Sequence, residues 1–244
     1  MPPKRQASKD RPKKSVSSVL SMPAEDYPAE REARMLRCLD DFFWKAFFYL
    51  RMNQIDGDYL EFGCGSNVRS FRLAYKYRNL EYSCPRLFAF DSFQGLPEPQ
   101  GIDRHPQWEE GAMAVSLAQF HRIMRAEGAK RGDYRTVPGF YADTLDHVAP
   151  QDYGIERAAM VFVDCDLYAS AASVLRFVAD ILVDGAILAF DDWFCFNGDS
   201  NRGEQRACRE FLEANPRLTL SEYLPIGWHG KSFLVHIAKR RRRR

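Results

Sequence analysis

The chain has 244 residues, 45% of them hydrophobic, and a formal net charge of +2, enough for one large domain with extensions and a sizeable core. The near-neutral sum hides basic ends. Residues 1–14 carry six Lys or Arg and one Asp, residues 239–244 are all basic, and the remainder holds 23 basic against 32 acidic residues. So acidic a body excludes a nucleic-acid-binding core, although the basic ends can recruit RNA, an acidic lipid or an import receptor. No stretch approaches the ~20 apolar residues of a membrane span. The N-terminal charge is not followed by an apolar run, so no secretory signal is read and a cytoplasmic protein is expected. Six cysteines without a Cys-x-x-Cys pair read as free thiols of a reducing compartment rather than as a zinc site.

Residues 1–24, rich in Pro, Lys and Ser, are expected to be a disordered basic tail. Residues 25–53 predict a helix, with Met35, Leu36, Leu39, Phe42, Phe43, Phe47 and Leu50 at helical spacing. Its aromatic crowding has two readings: packing on a sheet, or a surface for a homodimer or substrate lid. From Gly57 strands and helices alternate. Strands are expected at 59–62, 87–90, 134–137, 160–163, 186–190, 218–223 and 232–237, and helices at 68–77, 112–128, 169–182 and 204–214. Near-continuous apolar strands separated by helices predict an α/β fold, a mostly parallel seven-stranded sheet with helices on both faces. The last two strands, lacking a helix between them, predict an antiparallel edge hairpin. The core domain spans 54–238, followed by the basic tail 239–244.

Four of these strands run into a Gly-Cys-Gly turn, Asp91, Asp164 and Asp191-Asp192. In open α/β sheets, ligands bind beyond the carboxyl ends of the strands, so these groups should share one crevice. Gly63 and Gly65 let backbone approach a ligand closely. A dinucleotide fingerprint needs Gly or Ala where Val68 stands, which argues against NAD. Glu61 suits a ligand with a cationic amino group, and Asp91, followed by Ser92, can accept both hydroxyls of an adenosine ribose. Phe140 or Tyr141 can flank an adenine ring, or serve as ordinary core. Asp164, Asp166, Asp191 and Asp192 would crowd negative charge, a cost that a divalent cation removes. An all-oxygen set points to Mg²⁺; the alternative is a metal-free set that caps helices. Asp166 and His229 are the candidate proton acceptors.

Glu61-Phe62-Gly63-Cys64-Gly65, Asp91-Ser92-Phe93-Gln94-Gly95-Leu96-Pro97, residues 137–145, Asp164-Cys165-Asp166-Leu167-Tyr168 and Asp191-Asp192-Trp193 follow one another in an order that resembles the macrocin O-methyltransferase family (TylF/MycF/NovP-like). The resemblance covers about residues 55–215. It implies a Rossmann-like class I methyltransferase fold, S-adenosylmethionine as donor, Mg²⁺ dependence, and hydroxyls of sugars or related metabolites as small-molecule acceptors. It places Glu61, Gly63 and Gly65 at the methionine end, Asp91 on the ribose, and Asp164, Asp191 and Asp192 on the metal. Trp193 stands where that family usually has Tyr, and the arginine tail is not a family feature. Other readings are a nucleic-acid or protein methyltransferase recruited through its tails, and a non-catalytic adenosyl-binding protein.

Overall fold

The computed structural model describes residues 24–81, 86–106 and 108–238. The basic stretches 1–23 and 239–244, and Cys84, lie outside them. By contacts the chain divides into residues 1–37 and 38–244. The described part of the first unit holds a short 3₁₀ turn and the start of helix α1 (Tyr27–Met52), where Glu30 receives Arg34 and Arg37.

The larger unit is built on seven strands in the order β3-β2-β1-β4-β5-β7-β6. They are β1 (Asp58–Phe62), β2 (Leu87–Asp91), β3 (Arg135–Pro138), β4 (Ala158–Val163), β5 (Leu182–Phe190), β6 (Leu218–Ile226) and β7 (Gly230–Ile237). β1 to β5 pair in parallel, and β7 pairs antiparallel with both β5 and β6. β1 and β4 are buried along their whole length, as strands covered on both faces must be. Helices α2 (Arg69–Leu80), α3 (Leu117–Ala126), α4 (Tyr141–Thr144), α5 (Tyr168–Val178) and α6 (Gly203–Ala214) supply the covers.

Alternation along the strands sorts the core into two layers. Leu60, Phe62, Phe88 and Phe90 face α5 and α6; Phe62 and Phe90 stack on each other and meet Phe177 edge-on. Tyr59, Ala89 and Phe162 face the other way, toward Phe42, Phe43 and Phe47 of α1 and Phe71 of α2. The aromatic helix packs on the sheet, the first of its two readings. Phe42, Phe43, Ala46, Phe47 and Leu50 are buried, whereas Trp44, Phe48 and Met52, four residues apart, are exposed on the opposite side.

Two predicted helices are shorter than their sequences suggest: the one read over 169–182 ends at Val178, with β5 already begun at Leu182, and the one read over 112–128 is cut at its start. α3 begins only at Leu117, because the Ser116 hydroxyl accepts from the Gln119 amide and caps it there. The stretch ahead of it opens with a turn, in which Leu96 N–H donates to the Ala112 carbonyl and Gly111 N–H to the Leu96 carbonyl. Among the described residues, no helix is long and apolar enough to cross a membrane.

Candidate active site

The strand order reverses between the parallel neighbours β1 and β4, the switch point at which an open α/β sheet opens a crevice. The ladder continues past the strand ends there. Gly63 N–H donates to the Phe90 carbonyl, Asp164 N–H to Phe62, Asp191 N–H to Val163 and Gly139 N–H to Asp91, all at 2.8–3.0 Å. Gly63 has φ +89°, and a Cβ there would lie 1.7 Å from the Asp164 carbonyl oxygen, so only glycine fits.

A cleft of ≈ 260 Å³ opens over this point, near the low end of ordinary ligand sites. Gly63, Gly65, Asp91 and Ser92 form one wall; Phe140 and Tyr141 form a second; Asp164 and Asp166 stand on the third. Eight of the sequence candidates thus meet in one space. The Asp91 carboxylate is fixed from both sides, accepting from Cys64 N–H at 2.7 Å and Phe93 N–H at 2.6 Å. Burial raises its pKa against the pull of those two amides. Tyr141 meets Phe62 edge-on, and its hydroxyl donates to the Phe90 carbonyl at 3.3 Å.

Four candidates lie off these walls. Glu61 is fully buried on the α1 side of the sheet, where its carboxyl receives the Tyr59 and Ser70 hydroxyls. Strand parity is the reason: Phe62 faces the cleft side, so Glu61 points through the sheet. Contact between Glu61 and a ligand's amino group is therefore not what the fold provides. Burial instead pushes its pKa up to about 8. Asp191 turns toward His229, whose Nδ1 lies 2.5 Å from the Asp191 carbonyl oxygen and 3.5 Å from its Oδ2. A carbonyl only accepts, so Nδ1 carries a proton and points at Asp191. Asp192 is buried; its Oδ2 accepts from Asp166 N–H at 3.1 Å and its Oδ1 from the Cys195 thiol at 3.4 Å.

Carboxyl groups crowd this end of the sheet. Burial, and then the neighbouring Asp191, Asp192 and Asp166, push Asp164 well above the usual carboxylate range. Asp166, held at φ +59°, is raised by burial and then by Asp192 and Asp191. Burial lifts Asp191 to about 7, although His229 opposes it. Glu204, in the first turn of α6, joins them: Oε2 accepts from Asp192 N–H at 2.9 Å, while Oε1 is buried without a partner. Its pKa is also well raised by burial and then by Asp192, Asp191 and Asp166. Sequence reasoning did not single out Glu204, because an acid in a helix's first turn is explained by the helix dipole alone. Gly95, Leu96 and Pro97, which it quoted in a motif without giving them a role, and Met113, which it passed over, also line the cleft.

The all-oxygen donor set and the unpartnered Glu204 oxygen suit a hard divalent cation by chemistry. Among the described residues, no three His, Cys, Asp or Glu side chains converge into a ready ligand set. Asp192 is committed to Asp166 and Cys195, and would have to turn to reach an ion.

Comparison with known proteins agrees with this fold. A curated relative from Streptomyces olivaceus, 8-demethyl-8-(2,3-dimethoxy-alpha-L-rhamnosyl)-tetracenomycin-C 4'-O-methyltransferase, is 29% identical over 145 residues. The match takes in 57% of this chain and 54% of that protein, so the chain spans about half the length of the relative. The O-methyltransferase NovP superposes with a TM-score of 0.63 at 19% identity, over 82% of this chain and 79% of its own. CalS11, a calicheamicin methyltransferase, gives 0.64 at 18% identity, over 96% and 98%. These two likenesses show the fold. The sequence profile of the macrocin-O-methyltransferase (TylF) family matches residues 5–215, and the chain belongs to that family.

Proposed function

We propose that this chain transfers the methyl group of S-adenosylmethionine to a hydroxyl oxygen of a sugar carried on a small metabolite, with Mg²⁺ assisting. The observation that carries this reading is one cleft bounded by the glycine turn, Asp91, Phe140–Tyr141 and the Asp164–Asp166 carboxyls. Gly63 and Gly65 leave room for the methionine end, Asp91 accepts the ribose hydroxyls, and Tyr141 with Phe140 borders the adenine. The S. olivaceus relative, which by its name methylates a sugar hydroxyl on tetracenomycin, supports the acceptor class.

Transfer between sulfur and oxygen gains chiefly from alignment, with the two atoms held ~3–3.5 Å apart in line. Asp164, Asp191 and Asp192 would hold the cation, which when bound lowers the pKa of an acceptor hydroxyl. Two groups of this chain can receive the acceptor's proton. Asp166 stands on the cleft wall with a raised pKa. His229 offers Nε2, with its ring oriented through Nδ1 by Asp191. We also read the exposed Trp44–Phe48–Met52 stripe as a surface for a homodimer.

Calorimetry with S-adenosylhomocysteine tests the cofactor assignment: saturable binding, weakened in Asp91→Ala, is expected. Absence of binding to the wild-type chain would remove the whole reading. Survival of full methyl transfer in excess EDTA would remove only the cation.

A further inference from the structure

The connection between β2 and α3 lines the cleft twice, at Gly95–Pro97 and again at Ala112–Met113. These two arms are pinned to each other: Leu96 N–H donates to the Ala112 carbonyl at 3.1 Å, and Gly111 N–H to the Leu96 carbonyl at 2.9 Å. Gly95, at φ +92°, lets them close, since a Cβ there would lie 2.5 Å from the Gly111 carbonyl oxygen. Between the arms stands Asp103, 3% exposed. Its Oδ1 accepts from Tyr168 N–H at 2.7 Å and its Oδ2 from Ala169 N–H at 3.0 Å. These are the first two amides of α5, whose own N-cap, Leu167, has no side-chain oxygen to offer them. The cap is therefore supplied by another part of the chain, and it fixes α5 directly after the Asp164-Cys165-Asp166 bend. Arg202, at the start of α6, holds the backbone on both sides of Asp103. Its Nη2 donates to the Ile102 carbonyl at 2.7 Å and to the Arg104 carbonyl at 2.8 Å, and its guanidinium lies 4.5 Å over the ring of buried Phe196.

We propose that Asp103 and Arg202 are positioning residues for methyl transfer: together they tie the two arms beside the donor to the start of α5, so that the donor side and the carboxyl side of the crevice are set by one anchor. The inference rests on the O-methyltransferase reading and extends it to two residues that do not line the cleft. A carboxylate on two helix N-terminal amides is held by charge-assisted hydrogen bonds and by the helix dipole. Here that carboxylate belongs to the segment whose arms border the donor, and this is what couples the two sides. A ligand that orders the arms favours the anchored state, and by linkage the anchored state favours the ligand. Neither residue supplies a reacting group.

The test uses the full chain with S-adenosylhomocysteine as the probe, calorimetry for affinity and amide hydrogen exchange for coupling. In the wild type, saturation with S-adenosylhomocysteine should slow exchange across residues 196–206, which lie off the cleft. Arg202→Ala should abolish that slowing. Asp103→Ala and Arg202→Ala should each lower S-adenosylhomocysteine affinity about two- to thirtyfold, the range that a lost helix cap represents. Because both act through one anchor, the double variant should be no weaker than the worse single variant. Arg202→Lys keeps a charge able to donate to both carbonyls and should retain both the affinity and the slowing. Were Asp103→Ala to fail to fold, Asp103→Asn, which keeps one acceptor oxygen, gives the same reading with a smaller loss. Wild-type affinity in both single variants, losses that multiply in the double variant, or no slowing at 196–206 in the wild type overturns the anchor and leaves the methyltransferase reading standing. Absence of S-adenosylhomocysteine binding to the wild type removes both.

Discussion

The two halves of the crevice are built on different principles. On the β1–β2 side, backbone makes the site: Gly63 at positive φ, Cys64 and Phe93 amides on Asp91, and a cleft wall complete without any added group. On the β4–β5 side, side chains make it, and they are in electrostatic conflict. Asp164, Asp166, Asp191, Asp192 and Glu204 all have raised pKa values, each with burial as the first cause. The first half is organised in advance; in the second, burial and mutual repulsion raise the carboxyl pKa values. A cofactor-binding surface can be finished at folding, whereas an acceptor surface is completed by what arrives.

The contrast breaks most sharply if the acidic half is removed. Asp191→Ala with Asp192→Ala should lower methyl transfer at least about a hundredfold, since loss even of a ligand's supporting partner typically costs 10–100-fold. Binding of S-adenosylhomocysteine should persist in that variant. Equal loss of both in calorimetry and a turnover assay would show that the halves are not separable. Asp91→Ala should do the reverse, weakening S-adenosylhomocysteine roughly ten- to hundredfold through the loss of charge-assisted hydrogen bonds, while Mn²⁺ binding followed by electron paramagnetic resonance stays unchanged.

Glu204 offers a finer test. Glu204→Ala leaves Asp192 N–H buried without an acceptor and should lower stability by about 1–3 kcal/mol in urea unfolding. Glu204→Gln keeps the acceptor and takes one carboxyl out of the crowd, so at pH 8 its Tm should equal or exceed that of the wild type. A Gln variant as unstable as the Ala variant would show that the charge, not the hydrogen bond, matters.

The smallest effect concerns Glu61, raised to about 8. Its folded pKa lies above its unfolded value, so the folded state binds more protons between about pH 4.5 and 8 and loses stability as pH rises through that window. Glu61→Gln removes this dependence. The difference in Tm between variant and wild type should grow in the variant's favour from pH 5 to pH 9. A constant difference would mean that Glu61 is ionised throughout.

Much of this was legible in the sequence, because parallel strands announce themselves as short apolar runs and the acidic or glycine residues at their ends mark the crevice. Parity along β1 was legible too: with Leu60 and Phe62 on one face, Glu61 belongs to the other, yet its closeness to the glycine turn suggested a ligand contact. Ala112 to Ser116 read as helix because no breaker stands there, while the Ser116 cap and the pairing of Ala112 with Leu96 are tertiary outcomes. Glu204 was invisible for a different reason. Its interest lies in an oxygen left without a partner, and local sequence carries no record of which oxygens a fold leaves bare.

The missing side chain at position 63 has an evolutionary corollary. Because the first bend after β1 rests against the peptide that follows β4, any substitution there pushes the two strand ends apart. Change is easier to absorb away from this seam, as at the exposed Trp228 of the β6–β7 turn.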